Sequence, residues 1–138
     1  MALIFFLAAI LIVGGLLLAL INRLGRTGAK KIDVEYYRAK CLEIEHQLQK
    51  DEPNSYHVSV MNFDKLLDQA LKDRGFGGKT MGERLKNSVN VYSDRNGIWS
   101  AHKLRNIIAH EPNAHVTYEQ ARKALYNFQK ALKDLGVI

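Results

Sequence analysis

Lys103-Leu104-Arg105-Asn106-Ile107-Ile108-Ala109-His110-Glu111-Pro112 is the stretch on which the reading of this chain turns. Leu104 and Ile108 repeat at the spacing of one apolar helical face, with Ala101 a turn earlier. Pro112 biases Glu111 away from helical backbone angles, so the helix is predicted to stop near His110. Arg105, Asn106 and His110 are thereby crowded near a helix end, beside an apolar face.

Working outward, Pro112 to Val116 is a loop, and Thr117 with Gln120 forms a capping box. The last helix carries Tyr118, Ala121, Leu125, Phe128, Leu132 and Leu135 on one face and ends at Gly136. Upstream, the helix of the quoted stretch is predicted from about Ile98 to Glu111, with Trp99 near its start. Asp94-Arg95-Asn96-Gly97 reads as a turn, and Val89 to Asn96 is ambiguous. Thr80 is an N-cap for a short helix to about Ser88, with Met81 and Leu85 inward. The loop of Gly75, Gly77 and Gly78 precedes Lys79-Thr80, but the spacing is not that of a P-loop and no strand leads into it. A helix from Tyr56 to Asp73 points Tyr56, Val60, Phe63, Leu67 and Ala70 inward. Another, from Lys31 to Lys50, carries Val34, Tyr37, Cys41, Ile44 and Leu48 at steps of three and four, a bundle stripe too short to require a coiled coil. No segment alternates with period two. The predicted fold is all-α: a helical bundle of four main helices plus a short helix.

Ahead of the bundle, Ala2 to Ile21 is an unbroken apolar run. A helix of 20 residues spans roughly 30 Å, about the hydrocarbon thickness of a bilayer. The absence of a basic n-region and of an Ala-x-Ala site argues against a cleaved signal peptide. The sequence therefore predicts one transmembrane helix as an anchor over residues 1–22, a basic juxtamembrane linker over 23–30, and a helical domain over 31–138. Arg23, Arg26, Lys30 and Lys31 follow the apolar run, which places the C-terminal domain in the cytoplasm of a single-pass protein. Gly15 and Ala19 form a small-xxx-small pair of the kind that lets two anchors pack.

All 20 Lys and Arg and all 14 Asp and Glu lie from Arg23 onward, so the part of the chain after the apolar run, linker and domain together, holds the whole +6 excess. That charge suits an anionic partner, RNA or an acidic membrane surface, and equally serves solubility. One cysteine, Cys41, excludes an internal disulfide and sits on an apolar stripe as a core residue. Five histidines and this cysteine show no metal-ligand spacing, so no metal or cofactor is expected. A Ser/His/Asp hydrolase would need a strand–turn–helix elbow that the chain lacks. Asp64 and Asp68 share a helix face, as a paired-carboxylate site would, but read better as a solvated face. The aromatics fall at core spacing.

Arg105, four intervening residues and His110, with polar Asn106 after the arginine, resemble the Arg-x4-6-His motif of HEPN domains. These are small all-α domains, many of them metal-independent ribonucleases of toxins and antiviral systems. The resemblance covers the two C-terminal helices most clearly. It implies catalytic roles for Arg105 and His110, with Asn106 positioning the histidine or a phosphate oxygen. The chemistry suits those residue types. Histidine titrates near neutrality and takes the proton of a ribose 2′-hydroxyl, while arginine holds phosphate oxygens in a fork. Five residues along a helix set Arg105 and His110 about 140° apart, awkward for one phosphate. In the family, dimerisation resolves this by bringing two motifs into one cleft. The resemblance implies an endoribonuclease working as a homodimer, and with the predicted anchor the expectation is a membrane-anchored one acting on cytoplasmic RNA. The alternative is a non-catalytic tethered module that binds nucleotides or a protein partner. Neither substrate sequence nor any cognate antitoxin is readable from the chain.

Overall fold

A computed structural model describes residues 1–25 and 31–138. Six helices follow in order: α1 Ala2–Gly25, α2 Val34–Gln47, α3 Pro53–Asp73, α4 Met81–Asn87, α5 Arg95–His110 and α6 Tyr118–Asp134. No strand occurs among the described residues. Residues 26–30, which include Arg26, Gly28 and Lys30 of the predicted linker, lie outside them.

One expectation is corrected. Among the described residues no helix is long and apolar enough to cross a membrane. The expectation overturned is the single transmembrane helix over residues 1–22. The described large apolar side chains of that stretch are exposed, Leu11 at 77% and Phe5 at 72%, and none joins the hydrophobic core.

α3 is the axis of the bundle, packing against α2, α4, α5 and α6. Its buried face holds Val60, Phe63, Leu67, Ala70 and Leu71, each fully enclosed. Phe63 stacks on Phe128 of α6 with ring centroids 5.8 Å apart, and Tyr56 meets Tyr118 edge to face at 5.9 Å. From α2 come Tyr37, Cys41 and Ile44, the expected stripe. The Tyr37 hydroxyl donates to Asp73 at 2.7 Å, and burial with this contact raises its pKa.

Helix ends follow local chemistry. Asp33 accepts from the Tyr36 N–H, Thr80 from Glu83 and Asp94 from Gly97, each an N-cap. The Thr117–Gln120 capping box closes both ways at 2.9 and 3.2 Å. α3 and α6 end in the same manner. Gly75 (φ 83°) and Gly136 (φ 65°) adopt left-handed angles, and the next residue donates back to Leu71 and Leu132 respectively. α5 begins at Arg95 rather than near Ile98. The polar run that read as a turn is the capped first turn of the helix, because the Asp94 side chain supplies the entry bond.

A candidate acid–base site between α4 and α5

α5 packs against both α3 and α6, with Ile98 and Ala101 buried and Leu104 and Ile108 packed at the core margin. The contact with α3 places His102, one residue beyond Ala101, at Asp64. Both are enclosed, at 7% and 2% exposure. His102 Nδ1 lies 2.8 Å from Asp64 Oδ1. Facing a carboxylate, Nδ1 is the donor, so Nε2 is the ring atom left for other partners.

Arg105, one turn further along α5, reaches the other oxygen of the same carboxylate. Its Nε lies 3.2 Å from Asp64 Oδ2, an ion pair without hydrogen-bond alignment, and this buried Nε has no hydrogen-bond partner. Arg105 Nη1 donates to Asn106 Oδ1 at 2.9 Å. Asp64 thus fixes a histidine and an arginine together, and Asn106 holds the far side of the guanidinium.

α4 completes the site from the opposite side. Arg84, buried beneath α4, donates to Asp68 at 2.7 Å and to the Gly78 carbonyl, which docks the short helix on α3. Lys72 also meets Asp68 at 2.7 Å. Burial alone would raise the Asp68 pKa, but the hydrogen bonds from Arg84 and Lys72 outweigh it and hold the carboxyl below its ordinary value. Between the helices lies an open groove of about 640 Å³ onto which Thr80, Lys86, Trp99, His102, Arg105 and Asn106 face. The Trp99 ring stands edge-on to His102, with centroids 6.1 Å apart. Gly82 forms part of the floor, where a Cβ would stand 3.8 Å from His102 Nε2. Glu83 also borders the groove, its carboxylate accepting from the Lys79 N–H at 2.6 Å.

The predicted site residues are therefore divided. Arg105 and Asn106 sit together, half-buried, at the groove. His110 is the last residue of α5, exposed, and does not border this groove. Asp64 and Asp68 are neither a solvated face nor a paired-carboxylate site, since each is committed to different cations.

His102 and Trp99 carry no functional expectation from sequence, and Asp64 only that of a solvated face or a carboxylate pair with Asp68. A signal was present for each. Trp99, His102 and Asn106 recur at steps of three and four on one face of α5, and Asp64 interrupts the apolar stripe of Val60, Phe63 and Leu67. A carboxylate at such a position needs a buried cationic or hydrogen-bonding partner. No cluster of three or more His, Cys, Asp or Glu side chains among the described residues is arranged to hold a metal ion.

Comparison of the chain with known protein families, curated proteins and solved structures finds no match.

Proposed function

We propose that the bundle is a metal-independent endoribonuclease of the HEPN type, working as a homodimer. The observation that carries this reading is the state of the Arg105 guanidinium. Asp64 and Asn106 hold it at the mouth of a groove, while His110 stands exposed on the same helix. A held guanidinium is a ready-made clamp for a phosphodiester and for the charge that builds on it in the transition state. An exposed histidine is free to enter a second protomer's groove. Dimerisation accommodates the separation of about 140° between Arg105 and His110 around one helix. The basic excess of the chain, +6 in all, favours a polyanion.

In this reaction His110 takes the proton of the 2′-hydroxyl, the 2′-oxygen attacks phosphorus, and Arg105 stabilises the equatorial oxygens. Products carry a 2′,3′-cyclic phosphate and a 5′-hydroxyl. The test is cleavage of a single-stranded RNA by the purified chain in excess EDTA, with the product ends identified by mass. Arg105→Ala and His110→Ala should each lower the rate by about 100-fold or more while helix content stays unchanged. An inert chain, or cleavage indifferent to both substitutions, would leave a non-catalytic binding module in its place.

A further inference from the structure

Cleavage of a phosphodiester needs two proton transfers, one from the 2′-hydroxyl and one to the departing 5′-oxygen. The reading above, on which this inference rests, supplies a group only for the first. We infer that His102, oriented by Asp64, is the general acid that protonates the 5′-oxygen, and that it works on a phosphate attacked with the help of the partner protomer's His110.

His102 is enclosed, its Nδ1 is committed to Asp64 at 2.8 Å, and no described residue hydrogen-bonds Nε2. The ring lines the same groove as Arg105, the phosphate clamp. The titratable and charged groups that contact His102 or share its groove come from each of the three helices around it. Asp64 comes from α3, Glu83 and Lys86 from α4, and Arg105 from α5 itself. The nearest is the Asp64 carboxylate, which holds Nδ1 and leaves Nε2 as the ring atom that can serve a substrate in the groove. Lys86 and Arg105 supply positive charge for a phosphate, and Trp99 offers a ring face for the adjoining base.

His102 and His110 are eight residues apart on one helix, roughly 12 Å along its axis. They do not meet on one phosphate within a protomer, so the pair is formed across the dimer. The protons balance. His110 gains the 2′-hydroxyl proton, the P–O5′ bond breaks with its electron pair on O5′, and Nε2 of His102 gives up its proton there. Exchange with water restores both rings.

The experiment compares RNA with uridine 3′-(4-nitrophenyl phosphate), whose leaving group needs no proton, using the full-length chain. His102→Gln should lose about 100-fold or more on RNA and only a few-fold on the aryl ester. An equal mixture of His102→Gln and His110→Ala chains should recover about a quarter of wild-type RNA cleavage, from the one intact site in each mixed dimer. The wild-type rate should fall at alkaline pH on RNA but not on the aryl ester, a readout that needs no variant to fold. Equal losses on both substrates, no loss at all, a silent mixture or identical alkaline limbs would each overturn the acid role while leaving the ribonuclease reading intact. A wild-type chain inert toward both substrates overturns the ribonuclease reading and this inference with it.

Discussion

Asp64 is the residue on which the site depends, because one enclosed carboxylate meets both His102 and Arg105. Removing one member of a buried ionic network strands the others. Asp64→Ala should therefore cost about 2–3 kcal/mol in a urea melt, less than for a fully sealed pair because Arg105 is partly open to water. His110→Ala, at an exposed position, should shift stability by less than about 0.5 kcal/mol in the same melt. Asp68 gives the pH dependence. Its carboxyl is held below the unfolded value by Arg84 and Lys72, so its contribution is present above the unfolded carboxylate pKa. It is lost as pH falls through the lower, folded value. Denaturation midpoints measured from pH 6 down to pH 2 should fall more steeply for the wild type than for Asp68→Asn. Cys41 is inert for a related reason. Burial, with Glu45 nearby, pushes its thiol pKa up to about 11, so iodoacetamide at pH 8 should label it only after denaturant is added.

At the scale of elements, the ends of the helices carry separable free energies. Thr117→Ala removes one half of the α6 capping box and should lower stability by about 1 kcal/mol in thermal unfolding. Much at this scale was legible in the sequence, because apolar residues at steps of three and four, proline, glycine and N-cap residues act locally. The α2 stripe, the stop at His110 before Pro112, and the Thr117–Gln120 box are cases in which short-range chemistry decides the outcome. Asp94 shows the limit. The same residue types that make turns also cap helices, and only the bond to the Gly97 N–H distinguishes them. The site was less legible because its defining contact spans 38 residues, from Asp64 to His102. Periodicity marks which residues share a face but not which faces meet. Arg105 and Asn106 are reached through the resemblance, whereas the sequence alone gives His102 no role, leaves Trp99 among the aromatics at core spacing and reads Asp64 as part of a solvated face.

For the whole molecule, the core assigns the work of folding to the residues from 31 onward. Among the described residues, every buried apolar side chain of the hydrophobic core lies between Tyr37 and Val137, and the described side chains of α1 contribute none. The fold is closed by α3 at its centre and by Val137, fully enclosed just beyond the α6 terminus. The described face of α1 instead offers water a run of leucine, isoleucine and phenylalanine side chains, a surface that favours association with any apolar partner, including other copies of itself. A chain beginning at Lys31 should consequently keep the helix content of the bundle. It should melt within about 3 °C of the full chain, as expected when only about half a kilocalorie per mole is at stake. It should also remain dispersed at concentrations where the full chain scatters light. Circular dichroism and light scattering on the two chains decide the matter. A fragment that unfolds, or that melts far below the full chain, would mean that α1 supports the bundle through contacts that the core does not require.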